Sequence, residues 1–479
     1  MLEHCRPNDE KRREFERKLV RKIDLRMMPI LILLYIMNYL DRNNISAARD
    51  YGLQKDLKLT DTQYSVALSI LFVGYISLQI PSNLLLVRLG RPRLYIPSIV
   101  ALWGIVSGMT ALTHNYSGLL AVRIVLGMAE APFFPGALFL LSKWMTKKEL
   151  ATRTALLFSG SILSNAFSGL IAAGLLKLDG LRGIAGWKWM FIVEATLTVC
   201  ISVIAFFVLP DFPENSSFLS EEERSLAVAR LTEDAGEADV GGGDANGHGN
   251  TSHGLLLAVK DLKVYLLAVL LTAVTAGLSF NAFFPTLTGT LGYGQTQTLL
   301  LTVPPWFFAF VCVYFNGRHA DATQERFLHI SLPLVVGIAG FIISASTMNT
   351  AARFVGLFLM APSYAGYVVI LTWISNTIHR PTTKRAVALA GINAFSQLGN
   401  IAGSYIWQKK KFGPRYWQSN LICTCMFLVG IALALAMRVR LARDNRALDR
   451  KYGTVEETQA SEGGKSTAHL TKRKFRYLL

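Results

Sequence analysis

The chain has 479 residues, of which 52% are hydrophobic and 17% are charged, and its mean hydropathy is +0.35. Soluble domains carry about 25% charged residues, so this composition excludes an ordinary soluble enzyme, a disordered scaffold and a small disulfide-rich secreted domain. The net charge of +17 would suggest nucleic-acid binding in a soluble protein, but in so apolar a chain membrane topology has to be tested first.

Apolar residues are concentrated in twelve blocks, each long enough to cross a bilayer core of roughly 30 Å. The blocks are 26–47, 63–87, 94–113, 117–142, 152–176, 187–209, 262–285, 296–316, 327–347, 351–378, 385–407 and 418–438. We therefore predict an all-α membrane protein with 12 transmembrane helices. A charged stretch precedes the first block and no cleavage site follows it, so we expect a retained anchor and not a secretory signal.

The basic residues are distributed unevenly between the two sides that these blocks define. The N-terminus is placed in the cytosol, and the six Lys or Arg residues at the first or last two positions of a block are counted on the adjoining side. Then 36 of the 49 Lys and Arg residues fall on the cytosolic side, 10 on the outer side and three within blocks. The positive-inside rule then predicts that both termini are cytosolic. The charge is explained by topology, and we expect no nucleic-acid partner.

The predicted organisation has five parts. They are a basic cytosolic N-terminus (1–25), a six-helix bundle (26–209), a cytosolic linker (210–261), a second six-helix bundle (262–438) and a cytosolic polar tail (439–479). Within the linker, Ser220 and Glu223 have the spacing of a capping box, which predicts a short surface helix. The glycine-rich run 241–249 predicts a flexible connection after it.

The two bundles resemble each other in sequence. Three residues of block 4 recur in block 10 at a constant offset of 230: Arg123 and Arg353, Pro132 and Pro362, and Gly136 and Gly366. This pattern indicates two parallel six-helix repeats, a plan of secondary transporters whose site lies near the bilayer midplane between the halves.

No ATP site is visible in the sequence. The run 461–466 superficially resembles a phosphate loop, but Gln459 stands where the motif requires glycine and the run lies in the polar tail. Transport would therefore draw on an ion gradient or on the gradient of the substrate itself.

Charged residues within membrane blocks are costly and mark function by default. Asp41 and Arg42 lie in block 1, and Arg123 and Glu130 lie in block 4. Arg123 and Glu130 are two helical turns apart, so they share a face at about 10 Å separation. We expect the acids and bases to compensate one another as Arg123–Glu130 and Asp41–Arg42. The alternative is that these pairs only hold helices together.

Such a pairing suggests a coupling mechanism. An arginine fork matches a carboxylate in a bidentate manner. When an anionic substrate occupies the arginine, the acid loses its counter-ion and takes up a proton, which makes the two ligands bind cooperatively. Met360 stands at the repeat position of Glu130, so we expect proton coupling in the first half and neutral substrate contacts in the second. For Glu194 in block 6 we favour a structural role.

At these residues the sequence resembles the major facilitator superfamily, and within it the anion:cation symporter family. The resemblance covers about residues 20–445 and is carried by the motifs Asn38–Asn44, Arg123–Gly136 and Phe218–Arg224; the run Asn393–Tyr405 resembles the nicotinate permease branch of the fungal allantoate permease subfamily. One departure concerns the cytosolic loop at 83–93, where Val87 replaces the usual acid before Arg88. In its second copy Asp321 is present but Ala322 replaces the base.

The resemblance implies a role for each matching position. Arg42 and Arg123 would engage the substrate anion, Asp41 and Glu130 would carry the proton, and Tyr75 would contribute a hydroxyl to the cavity.

Neutral candidates follow from the polar residues of the other blocks. In block 11, Asn393, Ser396 and Asn400 could reach substrate or bond other helices. Phe284 and Trp306 could stack on a flat ring or simply pack. Gly399 and Gly403 have the spacing that permits close helix approach.

The favoured interpretation is a proton-coupled importer of a small organic carboxylate, such as nicotinate or an allantoate- or vitamin-like acid, in the plasma membrane or an internal membrane. Its partners would be the anion, protons and the bilayer, with the monomer as the default state and no cofactor, metal or enzymatic activity. Alternatives are an exporter of an acidic metabolite, a non-transporting sensor on a transporter scaffold, and a channel. The sequence leaves open the substrate, the direction and the identity of the coupling ion.

Overall fold

The structure, a computed structural model, describes residues 10–89, 91–236, 256–378, 382–452 and 477–478. Each of the twelve predicted blocks lies in helical segments, and ten continuous helical stretches of the described chain are long and apolar enough to cross a membrane. Blocks 63–87 and 385–407 are helical but are not among those ten. The prediction of an all-helical membrane protein is confirmed, whereas the glycine-rich run 241–249 lies outside the described residues.

Packing divides the chain into two compact units. The first comprises the described residues within 1–235, 280–310 and 404–414. Its main helices are α1 (Glu10–Ala48), α2 (Asp61–Leu89), α3 (Pro92–Met109), α4 (Tyr116–Glu130), α5 (Phe133–Trp144), α6 (Lys147–Leu175), α7 (Gly186–Val208), α8 (Glu221–Gly236) and α10 (Phe284–Gly289).

The second unit comprises the described residues within 236–279, 311–403 and 415–479. Its main helices are α9 (Leu262–Gly277), α12 (Phe327–Ser346), α13 (Thr350–Met360), α14 (Tyr364–Thr377), α15 (Thr382–Gly403) and α16 (Trp417–Tyr452). Helix α11 (Gln295–Thr323) begins in the first unit and ends in the second.

Corresponding helices pair in the same way within each unit. In the first unit, α1 packs on α6 and α3 packs on α7; in the second, α9 packs on α15 and α12 packs on α16. In the first unit, block 1 therefore pairs with block 5 and block 3 with block 6. In the second unit, block 7 pairs with block 11 and block 9 with block 12, which is the same arrangement six blocks later. The internal packing of each unit thus follows the sequence repeat.

Polar side chains begin several helices by accepting hydrogen bonds from otherwise unpaired amides. Asn115 caps α4 by accepting from the Gly118 amide at 2.8 Å, and Asp261 caps α9 by accepting from the Lys263 amide at 2.9 Å. Each of these caps places the helix start within one residue of the beginning of an apolar block, at 117 and at 262.

The predicted capping box is present at the start of α8. The Glu223 carboxylate accepts from the Ser220 amide at 2.9 Å, and the Ser220 hydroxyl accepts from the Glu223 amide at 3.2 Å. Lys22 of α1 pairs with Glu223 at 2.7 Å. Burial alone would raise the pKa of Glu223, but the hydrogen bonds from Lys22 and from the Ser220 amide lower it overall. The ion pair therefore stays charged at neutral pH and ties α8 to α1.

Two glycines bring the backbones of α2 and α4 into direct contact. A Cβ atom on Gly127 would lie 2.0 Å from the Leu71 carbonyl oxygen, and one on Gly74 would lie 2.3 Å from the Ile124 carbonyl oxygen. Small residues at a helix interface allow such close approach in membranes. The same holds in the second unit, where a Cβ on Gly399 would lie 2.5 Å from the Thr272 carbonyl oxygen.

We expect Gly127→Ala to destabilise the protein, because the added methyl group must push α2 and α4 apart. Overpacking of this kind costs about 1–3 kcal/mol. Thermal unfolding of the purified protein in detergent would register it as a lower midpoint. Gly391→Ala is the matched control, since nothing lies within 4 Å of its added Cβ atom. Equal midpoints for the two variants would contradict the account of this interface.

Candidate functional site

A buried ion pair joins α1 to the end of α4. The Nε and Nη2 atoms of Arg42 donate to Glu130 Oε2 at 3.0 and 2.7 Å. The Glu130 side chain has no exposed surface, and that of Arg42 is 15% exposed. Both donors reach the same oxygen, so the other carboxylate oxygen, Oε1, has no hydrogen-bond partner among the described residues. Arg42 therefore neutralises one side of Glu130, while the other side lies near the Asn38 side chain without forming a hydrogen bond in the described part of the chain.

Aromatic rings surround the guanidinium group of Arg42. Its central carbon lies 5.1 Å from the ring centre of Tyr75, 5.3 Å from that of Tyr39 and 5.9 Å from that of Phe72. Ring faces attract cations at such distances. They also compensate for lost hydration, which allows the charged group to remain in an apolar part of the protein.

Asp41 is fully buried and is not paired with Arg42. Its carboxylate accepts three hydrogen bonds, from Trp103 Nε1 at 3.1 Å, Ser107 Oγ at 3.1 Å and Thr198 Oγ1 at 3.0 Å. The expected Asp41–Arg42 pair is wrong because consecutive helical residues point about 100° apart. Asp41 faces α3 and α7, whereas Arg42 faces α4.

Arg123 is also buried, and the expected Arg123–Glu130 ion pair is wrong. Within the described chain Arg123 forms no ion pair; its Nε donates to the Ala67 carbonyl oxygen at 3.2 Å, and its Nη1 has no partner. Arg123 and Glu130 are separated by two helical turns on α4. Arg42 of the neighbouring helix α1 lies closer to Glu130 and forms the ion pair instead. Arg123 still interacts electrostatically with Glu130. It leaves a buried guanidinium nitrogen with unused hydrogen-bonding capacity.

The partners of Asp41 were not predicted from the sequence. Trp103 and Ser107 lie four residues apart on α3, and Glu194 and Thr198 lie four apart on α7, so each pair presents polar atoms on one face of an apolar helix. That spacing was the available signal. It does not by itself indicate which buried acid the two faces would contact.

A small cavity of about 20 Å³ in the first unit has a mixed polar and aromatic lining. Its lining includes Asn43, Ser46, Asn165, Asn281, Thr302 and Trp306. Asn43 Nδ2 donates to Asn165 Oδ1 at 2.7 Å across it. The rings of Phe284 and Trp306 are each 1% exposed, with centres 5.1 Å apart. Their mutual contact favours the packing interpretation over stacking on a ligand.

The polar candidates of block 11 lie on α15 in the second unit. Ser396 Oγ donates to the Asn393 carbonyl oxygen at 2.7 Å, and Asn400 Nδ2 donates to Gln397 Oε1 at 2.8 Å. These bonds run along one helix. A substrate-binding role for the three residues stays a prediction.

In the loop that departs from the family pattern, Asp321 has a partner other than the missing base at 322. Its carboxylate lies 2.8 Å from Arg326 Nη1. An arginine four residues beyond the expected position thus supplies the charge. In the first copy, at 83–93, the side chains of Val87 and Arg88 lie outside the described residues.

The helices and their buried charges define an integral membrane protein of the kind that carries solutes. Residues 31–404 match the family model described as Major Facilitator Superfamily. The chain is 32% identical over 476 residues to the major facilitator-type transporter hxnP of Emericella nidulans, covering 95% of this chain and 92% of that protein. It is 31% identical over 435 residues to an Agrobacterium vitis protein named provisionally as a tartrate transporter, covering 90% and 97%.

Among solved structures, the partially occluded inward-open form of the xylose transporter XylE from E. coli matches with a TM-score of 0.67 at 14% identity, covering 87% of this chain and 97% of that one. The likeness is one of fold. The chain belongs to the major facilitator superfamily, a family of transporters and not of enzymes.

Proposed function

We propose that this protein is a proton-coupled importer of a small organic carboxylate anion that works by alternating access. The observation that carries the proposal is the buried Arg42–Glu130 pair. Arg42 can exchange Glu130 for a substrate carboxylate. Glu130, which is fully buried and has one oxygen without a hydrogen-bond partner among the described residues, can then accept a proton. The relative named for tartrate supports a carboxylate as the substrate class.

The first step is competition for Arg42. A substrate carboxylate is a better match for the two aligned N–H groups than a single Glu130 oxygen, because it can accept both bonds in bidentate fashion. Arg123 supplies a second cation with an unpartnered Nη1. Together the two arginines can hold an anion that neither would hold alone.

The second step is protonation of the displaced acid. Leaving one member of a buried pair charged and alone costs about 3–5 kcal/mol. Glu130 avoids this cost by taking up a proton, so anion binding favours proton binding and the reverse holds equally. The site loaded with an anion and a proton then has the same net charge as the empty site, so both can undergo the conformational change of alternating access.

The proposal extends to the organisation of the chain. It assigns the protein to the anion:cation symporter family and to its fungal allantoate and nicotinate permease-like branch. It includes 12 transmembrane helices in two parallel repeats (26–209 and 262–438) with cytosolic termini, in the plasma membrane. Tyr75 and the polar residues of α15 complete the substrate contacts, and Asp41 relays protons with Glu130.

The test of the proposal is uptake of labelled nicotinate in fungal cells that lack their own carrier. Uptake would be measured at an outside pH of about 5 and about 7, with and without a protonophore, with allantoate, pantothenate, tartrate and other dicarboxylates as competitors. We expect faster uptake at the lower pH and its loss with protonophore. Uptake that ignores both would exclude proton coupling. No uptake of any of these acids at confirmed surface expression would favour an exporter.

Glu130→Gln should retain exchange of substrate between the two sides of the membrane and lose accumulation driven by a pH gradient, because the amide cannot take up the proton. Counterflow and gradient-driven uptake in proteoliposomes separate the two activities. Glu214→Gln removes an exposed acid and is the matched control. Full accumulation by the Glu130→Gln protein would place the coupling proton elsewhere.

Arg123→Lys should lower transport kcat/KM by about 10- to 100-fold, since losing a charged bidentate contact costs about 1.5–3 kcal/mol. The charge is preserved, so only the fork geometry is tested. Arg353→Lys makes the same change at the repeat position, where Met360 stands in place of Glu130, and should have a smaller effect. Equal losses in both variants would mean that Arg123 acts in folding and not in anion binding.

A further inference from the structure

A second pair of buried acids lies away from the Arg42–Glu130 pair. Asp41 on α1 and Glu194 on α7 are both fully buried. Glu194 lies close enough to Asp41 for the two carboxyl groups to interact electrostatically. Like charges so close in an apolar interior cannot both be maintained cheaply.

The two acids are linked by reciprocal contacts. Thr198, one turn from Glu194 on α7, donates to Asp41 at 3.0 Å. Asn44, one turn from Asp41 on α1, bonds to Glu194 through its amide nitrogen. Each acid thus contacts the helix that carries the other, and the four side chains form one cluster between α1 and α7.

The hydrogen-bond donors available to each acid differ. Asp41 receives three, including the indole N–H of Trp103, which can only donate. Three donors satisfy an ionised carboxylate. Glu194 receives one, and its Oε1 has no partner within the described chain. A negative charge is therefore supported on Asp41 and not on Glu194.

Two fully buried acceptor atoms in this cluster have no donor among the residues that the structure describes. They are Glu194 Oε1 and the amide oxygen of Asn44. An unpaired buried acceptor costs about 1–3 kcal/mol. A proton on Glu194 removes the need to satisfy a second anion and adds a donor to a cluster in which two of the described acceptors have none.

The charged groups around the cluster do not remove this need. Asp41 faces Glu194 from α1, and Glu130 of α4 adds a further negative charge near Asp41. Arg42 is directed to Glu130. In the described chain, neither Asp41 nor Glu194 forms an ion pair with a basic side chain. An ionised Glu194 would therefore have no basic partner among the described residues.

We propose that Asp41 and Glu194 form a second proton-binding site, which holds one proton on Glu194 in this conformation and is separate from the Arg42–Glu130 pair. The site follows from burial, geometry and donor count, and its existence does not depend on what is transported. Its participation in coupling rests on the proposed function, because a proton held here could be released when α1 and α7 move. Glu194 is then a proton-binding residue and not only a structural one.

The test is infrared spectroscopy of the purified full-length protein at about pH 7 in H₂O and D₂O. A protonated carboxyl group absorbs in a C=O stretching region where carboxylates do not, and the band shifts in D₂O. We expect Glu194→Gln to lose the intensity of one such carboxyl group. Glu214→Gln, at an exposed acid, should leave this region unchanged. Thermal unfolding of each variant establishes that it is folded.

An unchanged band in folded Glu194→Gln protein would overturn the proposal, since Glu194 would then be ionised. If that variant does not fold, Glu194→Asp keeps the carboxyl group, and the proposal requires its band to shift in frequency. The spectra need no substrate, so their outcome is independent of the uptake experiments. Where uptake is proton-coupled, the proposal further requires the number of protons per anion to fall in the Glu194→Gln protein.

Discussion

The cost of burying charge in an apolar interior governs the first unit of this transporter. Arg42 and Glu130 meet this cost by pairing across α1 and α4, and the rings around Arg42 replace part of its hydration. A pair of this kind is stable only while both members are present. One oxygen of Glu130 has no hydrogen-bond partner among the described residues. In the mechanism that we propose, the arrangement that stabilises the resting site therefore also makes it responsive to an anion and a proton.

Helix packing supplies the geometry on which the pair depends. The glycine contacts between α2 and α4 leave no room for side chains. They therefore fix the position of α4, and with it that of Glu130, along α2. The pairing of α1 with α6 and of α3 with α7 fixes the positions of Asp41 and of its hydrogen-bond donors. As a result Asp41 and Arg42, although adjacent in sequence, belong to two different polar networks. One network contains neutral donors and a second acid, and the other contains the ion pair.

The twelve apolar blocks, the capping box at Ser220 and the four buried charges could all be predicted from sequence, because each depends on local composition or short spacing. The partners of those charges could not. Spacing along α4 placed Arg123 and Glu130 on one face, but the ion pair forms with Arg42 of another helix. The donors to Asp41 come from α3 and α7, and only tertiary packing determines that they converge. Glu194 was visible as a buried acid, yet its proximity to Asp41 was not.

The central claim is that anion binding and proton binding are linked through Arg42 and Glu130. The most direct measurement is calorimetric titration of a transported anion into the purified protein, in buffers of different ionisation enthalpy near pH 7. The variation of the observed heat with buffer gives the number of protons taken up on binding. The account predicts an uptake of up to about one proton per anion. Binding of the anion with no proton uptake at any pH between about 5 and 8 would contradict it.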